Sequence, residues 1–467
     1  MSKKINMYKK NKIIWGSIGV AIIVLGIVGF ISFKKTNKVS ILSNSISMAK
    51  NVINFLPIKE DSKKEIQTID ALSKEFIKND GQERRYLILL QNNMELRPGG
   101  GFLGQYAVMK IKNGEITKLY FEDANLLDQR IKAKIPAPYP FKRMMSIKKW
   151  KFRDSNFSPD FPTNVEKAKY FYRLSGRNSN FNGVIAVNAD TFNHIFELTG
   201  PIAVPGYNAT LNSKNATLKL EELVEKKYIM DDSIDTQNRK AIMKNLMHLI
   251  VGKLDGIGNV PKVSKFALNE LRNKDIMLNF EDENLQKMIE DVHWGGRVSE
   301  DWNGDYLMLS DANMGALKTN YYITREINYN VDLTGEKPTA DLEVLYKNNA
   351  TYGDWRTSDY HSYFRVYVPK GSKLIERKMV SYPLVQEEFN KTYFGFLLHV
   401  LINRQTDIKL KYELPENVRE GNYKLLIQKQ SGVGDVPIKI HIKTKNGEFD
   451  QQAVLKKDLK FEINQDK

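Results

Sequence analysis

The sequence predicts a mixed-sheet α/β or α+β domain followed by an all-β sandwich, behind one N-terminal transmembrane helix. Three observations carry this expectation. One apolar run without charge, Ile13 to Phe33, is long enough to cross a bilayer core at a rise of about 1.5 Å per residue. Helical and strand-like patterns alternate over residues 81–315. From residue 320 onward only short alternating runs occur, separated by turn residues.

The segment ahead of the apolar run, residues 1–12, carries Lys3, Lys4, Lys9, Lys10 and Lys12 and no acid. The far flank carries Lys34, Lys35 and Lys38. The excess on the short tail places the N-terminus in the cytoplasm and the body outside it, at the cell membrane as a single-pass protein. A cleaved signal peptide is the rival reading, but its apolar core would be shorter and followed by small residues rather than F-K-K-T-N-K. Residues 1–38 hold eight lysines and no acid, so of the formal charge of +16 only +8 falls on the remaining 429 residues. That mild excess suits anionic headgroups or phosphate-bearing polymers. No basic run interleaved with aromatics is present, so nucleic acid is not an expected partner. The absence of cysteine excludes disulfides, thiolate metal sites and a Cys nucleophile.

Residues 34–80 read as a helical connector broken at Pro57 and closed by Asp80-Gly81. R-R-Y-L-I-L-L-Q is a short apolar run, as in a buried strand. After a glycine turn come F-L-G-Q-Y-A-V-M-K-I and E-I-T-K-L-Y-F, joined by Asn113-Gly114, a strong hairpin signal. A helix is predicted from an N-cap at Thr163 to a closing Gly176, then a buried strand G-V-I-A-V-N, then a helix ending at Gly200. Residues 218–255 and 261–292 read as helical. Beyond residue 320, seven alternating runs indicate a sandwich of immunoglobulin-like type over 320–467.

Three segments offer chemistry. In Q-N-N-M-E-L-R-P-G-G-G-F-L-G, the consecutive Gly99, Gly100 and Gly101 beside Arg97 suit an anion nest, or equally a tight turn that needs positive φ. In R-D-S-N-F-S-P-D-F-P, Arg153 accompanies Asp154 and Asp160, which with Asp123 would offer oxygen ligands to a divalent cation. The plainer reading is a polar loop ahead of a helix, with Asp123 an ordinary turn acid. Arg239, one turn into a helix, either reaches a phosphate or lies on a solvated helix face. His194 and His248 sit in helical, partly apolar patterns and read as core or surface histidines. No H-E-x-x-H or G-x-S-x-G occurs.

These segments, with N-G-V-I-A-V-N-A-D-T-F, Q-N-R-K-A-I-M and S-D-A-N-M-G-A-L-K-T-N-Y-Y-I, resemble in that order the bacterial family known as domain of unknown function 4012, over about 84–440. The order of strand pair, helix, buried strand and Arg-bearing helix more remotely resembles the LytR-CpsA-Psr family. Those are membrane-anchored enzymes that move glycopolymers from polyprenyl-pyrophosphate carriers onto the cell wall. The resemblance implies that Arg97 and Arg239 match pyrophosphate-binding arginines, and that Mg2+ is a cofactor. Glycines 99–101 stand where that family has an Asp, and Glu122 and Asp123 where it has an Arg-Asp pair. By this comparison Arg97, Asp154 and Arg239 form the catalytic set, Gly99, Gly100, Gly101 and Arg153 bind ligand, and Asp123, Asp154 and Asp160 hold the metal or supply a base. The implied partners are the lipid bilayer and a polyprenyl-phosphate-linked glycan or cell-wall polymer. The alternative is a non-catalytic surface module for adhesion or scaffolding.

Overall fold

The computed structural model describes residues 59–204, 208–220, 222, 246, 249–250, 252–254 and 260–464. The expected membrane span, the connector ahead of residue 59, His248 and Arg239 lie outside the described residues. Among those described, no helix is long and apolar enough to cross a membrane.

Helix α1 (Glu60–Ile77) leads into a meander of β1 (Glu83–Arg97), β2 (Gly100–Lys112) and β3 (Glu115–Asp123). The β2–β3 turn is the Asn113-Gly114 pair, with φ of 52° and 72°. Both values are positive, the geometry whose twist matches a two-residue hairpin. Next come α2 (Ala124–Arg130), α3 (Phe141–Met145), α4 (Phe161–Leu174), β4 (Gly183–Asn188) and α5 (Asp190–Thr199). A small pair, β5 (Ile202–Ala203) and β6 (Thr210–Leu211), precedes α6 (Val260–Arg272), β7 (Ile276–Phe280) and α7 (Glu283–Asp291). The span 261–292, expected as helical throughout, therefore contains a strand. The short I-M-L-N-F run carries no turn residues of its own and looks like a helix segment by periodicity alone.

The main sheet has the order β3-β2-β1-β4-β7. β1 and β4 are parallel and the other neighbours antiparallel. Helices cover both faces, because β1 is apolar at every position from Tyr86 to Leu90. Tyr86, Ile88 and Leu90 pack on one side with Phe192, Ile195 and Ile289. Leu87 and Leu89 pack on the other with Leu127, Val165 and Phe171.

The all-β part is two six-stranded sheets that share one core. Its strands are β8 (Asp305–Asn313), β9 (Ile323–Asp332), β10 (Thr339–Asn348), β11 (Tyr360–Pro369), β12 (Lys373–Lys378), β13 (Leu384–Glu388) and β14 (Lys391–Val400). They continue as β15 (Gln405–Glu413), β16 (Tyr423–Gln428), β17 (Val436–Thr444), β18 (Gly447–Leu455) and β19 (Leu459–Ile463). The orders are β12-β15-β10-β9-β17-β18 and β13-β14-β11-β8-β16-β19. The seven predicted runs fall on β9, β10, β11, β14, β15, β16 and β17. An immunoglobulin sandwich has about seven to nine antiparallel strands. This one has two six-stranded sheets and two parallel pairings, β8–β16 and β9–β17. Since β8 pairs with β11 and β16, the sandwich begins at Asp305, ahead of the expected residue 320.

Asp305 is a polar centre in that core. It is fully buried and accepts hydrogen bonds from the Tyr329 hydroxyl at 2.8 Å, the Tyr423 hydroxyl at 2.6 Å and the Tyr306 N–H at 2.7 Å. Burial raises its carboxyl from 3.8 to about 6, against the lowering effect of those donors. The folded value lies above the unfolded one, so the group stabilises the fold below about pH 3.8 and that contribution is lost as pH rises through about 6. In urea unfolding, the stability of the wild type relative to Asp305→Asn should fall by about 2 kcal/mol between pH 4 and pH 6.5 and stay level above. A difference that stays constant or grows over that interval contradicts the assignment.

Candidate functional site

The predicted site residues are placed by local needs. Asp160 is the N-cap of α4: its Oδ2 accepts from the Thr163 N–H at 3.0 Å and the Thr163 hydroxyl at 2.7 Å. Its Oδ1 accepts from the Val298 N–H at 3.0 Å. The expected cap at Thr163 is thus replaced by Asp160, and both carboxylate oxygens are engaged by N–H and O–H donors, not held for a cation. Asp123 caps α2, accepting from the Asn125 N–H at 2.6 Å. Arg153 donates from Nε to Asp128 at 2.7 Å. Burial raises the Asp128 carboxyl, which Arg153 opposes. Asp123, Asp154 and Asp160 do not gather into a cation-holding group.

Arg97 and Asp154 do approach, with Nη2 3.9 Å from Oδ1. Arg97 is only 1% exposed, however, and both terminal nitrogens of its guanidinium donate to protein acceptors. It donates to the Asn313 carbonyl at 2.7 Å, the Leu96 carbonyl at 3.2 Å and Glu95 Oε1 at 2.9 Å. Arg97 therefore holds the sandwich strand β8 to the end of β1 instead of facing a ligand.

The glycine run serves the same junction. The Gly99 N–H donates to the Asn156 carbonyl at 3.1 Å and the Gly101 N–H to Gln91 Oε1 at 3.2 Å, so the two amides are not free for an anion. Only Gly100 of the three has positive φ, at 127°. A Cβ on Gly100 would lie 2.6 Å from Asn188 Oδ1 and 2.7 Å from Gln91 Oε1. One on Gly99 would collide with the Asn164 amide, and one on Gly101 with the Asn92 backbone. The turn reading is the one met, and close packing adds to it.

These residues lie at the carboxyl ends of the parallel pair β1 and β4, where open α/β sheets commonly hold ligands. Here that place receives the chain that follows β16. Ser431 Oγ accepts from Asn188 Nδ2 at 3.0 Å and donates to the Lys274 carbonyl at 2.6 Å. Gln430 Nε2 donates to the Arg97 carbonyl at 3.0 Å and the Asp311 carbonyl at 2.8 Å. Asn93 Nδ2 donates to the Gly432 carbonyl at 3.2 Å. A Cβ on Gly432, at φ 76°, would strike the Gly100 carbonyl.

Beside this seam lies a cluster that the sequence reading did not assemble. His194 on α5, Glu270 on α6 and Asp275 just ahead of β7 bring ligand atoms within 4.8 Å of one another. His194 Nδ1 is 2.9 Å from Glu270 Oε1. Burial pushes the Asp275 carboxyl up to about 7, with Lys429 opposing. Burial disfavours the charged His194 ring, but the hydrogen bond to Glu270 and the charges of Glu270, Asp275 and Asp190 outweigh it and raise the ring to about 10. No sequence spacing signals this group, since His194 and Glu270 are brought together by helix packing alone.

A separate open groove lies along β3. It is lined by Arg85, Tyr120, Phe121, Glu122, Tyr172 and Arg177 with their neighbours. The Tyr120 and Tyr172 hydroxyls are 3.3 Å apart. Arg177 Nη2 donates to Glu122 Oε1 at 2.8 Å, which holds the Glu122 carboxyl below its ordinary value. The Arg177 guanidinium also lies 5.7 Å from the Tyr172 ring centre. Phe121 and Leu126 stand exposed at its rim. Of these, only Glu122 was singled out from sequence.

Residues 81–224 match the family described as protein of unknown function (DUF4012). The chain carries a DUF4012 segment. The match runs from the start of β1 past β6 and is shorter than the 84–440 expected, leaving Arg239 and the sandwich outside it. No curated protein matches. Among solved structures, a fragment (residues 52–321) of Lmo1026 from Listeria monocytogenes is similar at 12% identity and a TM-score of 0.22, over 45% of this chain and 78% of that one. At that score the likeness carries no argument.

The glycines of this junction are then packing residues, and their loss should act on stability. Gly432→Ala combines a strained φ with a backbone collision, so it should cost about 2–4 kcal/mol in denaturant unfolding. Gly176→Ala has the same positive φ, 82°, but nothing within 4 Å, and should cost about 1 kcal/mol. Equal costs at the two positions would contradict the packing account.

Proposed function

We propose that this chain is a membrane-anchored, extracytoplasmic binding protein for the saccharide part of a cell-surface polymer, acting as a non-catalytic module. The observation that carries the reading is the groove along β3. Aromatic side chains at Tyr120 and Phe121 offer faces for sugar rings, and Arg85, Arg177, Glu122 and Asn178 offer donors and acceptors for hydroxyls. The apolar run 13–33 with its lysine-rich flank supports the anchor and its orientation. The immunoglobulin-like character of the sandwich, in its coarse two-sheet form, suits a surface module. Phosphotransfer of the LytR-CpsA-Psr kind draws no support from Arg97 or Asp160, because both side chains are engaged by protein partners. Transfer chemistry at Arg239 is not part of the proposal.

Two measurements test it. Full-length chain in nanodiscs, titrated with solubilised cell-wall polysaccharide fragments, should bind saturably. Phe121→Ala with Asn178→Ala should weaken binding about 10-fold or more while shifting unfolding by no more than about 0.5 kcal/mol, since both lie at the groove surface. Unchanged binding in the double variant sinks the groove assignment. A C-terminal tag on intact, wall-stripped cells should be cleaved by added protease, and a protected tag sinks the orientation.

A further inference from the structure

We propose that His194, Glu270 and Asp275 form a binding site for a divalent first-row transition-metal ion, of the zinc class. The three donors come from three different elements, α5, the last turn of α6 and the entry to β7, and converge within 4.8 Å. The observation that points to a ligand is Glu270. It is 2% exposed, and its Oε2 is buried without a hydrogen-bond partner among the described residues. An unmet buried carboxylate oxygen costs about 1–3 kcal/mol or more, so native structures seldom leave one. The partner it lacks is a cation. The charges of Glu270, Asp275 and Asp190 all act on the one imidazole, and Lys429, which opposes the Asp275 shift, donates from Nζ to the Asn273 carbonyl at 2.9 Å.

The ligand set selects the ion. One imidazole nitrogen with two carboxylates suits zinc and its neighbours, whereas magnesium and calcium prefer oxygen alone. The distances are compatible with a small contraction. Two ligand atoms on a tetrahedral zinc at about 2.1 Å lie about 3.3 Å apart. The His194–Glu270 pair is at 2.9 Å and must open slightly, while the Asp275 carboxylate must close in from within 4.8 Å. Asn188 Nδ2, 3.3 Å from Asp275 Oδ1, already orients that carboxylate, the outer-shell support that metal ligands usually have. The His194 side chain is 32% exposed, which leaves an entry path and room for a water as fourth ligand. The site adjoins the seam through Asn188 and Lys429, so a bound ion would tie α5, α6 and β7 at the point where the sandwich docks.

The test uses untagged full-length chain in detergent, stripped with chelator and titrated with Zn2+ against a chromophoric competitor. One ion per chain should bind, with a rise in unfolding temperature. The Glu270→Gln variant keeps the shape and should bind about 100-fold more weakly, as should His194→Ala. Co2+ loaded into the wild type should give a visible spectrum of nitrogen and oxygen ligation that His194→Ala loses. Absence of saturable Zn2+ binding to the wild type overturns the proposal whether or not the variants fold. So does binding that both variants leave unchanged.

Discussion

The structure turns on a close approach of two backbones at the carboxyl ends of β1 and β4. Gly100 and Gly432 meet there without side chains between them, and the surrounding amides and hydroxyls, Gln91, Asn93, Asn156, Asn188, Gln430 and Ser431, are all buried. A buried polar group is tolerated only when it is satisfied. Here part of that satisfaction crosses the junction, through Asn93 to Gly432, Asn188 to Ser431, Gln430 to Arg97 and Ser431 to Lys274, so neither half completes its hydrogen bonds alone. Arg97 extends the seam by reaching the Asn313 carbonyl of β8, and Lys274 extends it on the other side by pairing with Asp458 at 2.7 Å.

This constraint changes how the motifs are understood. A glycine run beside an arginine has the composition of an anion site, but composition does not say where the N–H groups point. In this fold two of the three glycine amides point at protein acceptors, and the arginine is covered by the sandwich. The crevice that an open α/β sheet offers to ligands is occupied by the protein's own loop. The places proposed for ligands lie elsewhere: the open groove along β3, and the cluster beside β7.

The buried charged groups are arranged unequally. In the sandwich, Asp305 and Asp311 are met by tyrosine and serine hydroxyls, a backbone N–H and an arginine. On the α/β side, Glu270 and Asp275 share one histidine and leave an oxygen over. The same physics of buried carboxylates gives a closed network in one place and an unmet carboxylate oxygen in the other.

What could be read from the residues alone was whatever depends on neighbours in the chain. The Asn113-Gly114 hairpin, the both-faces-apolar strand at Tyr86–Leu90, the helix closing at Gly200 and the seven inner sandwich runs all follow from local conformation or period. The four strands that escaped, β12, β13, β18 and β19, are the edges of their sheets: the first three keep polar, exposed faces with faint alternation, and β19, L-K-F-E-I, alternates over only five residues. β8 escaped for the opposite reason: it is buried on both faces and has no alternation. The site was legible only as residue types. That Asp160 caps a helix, that Arg97 faces a carbonyl 216 residues away, and that His194 meets Glu270 are decided by packing between elements distant in sequence, which no local period encodes.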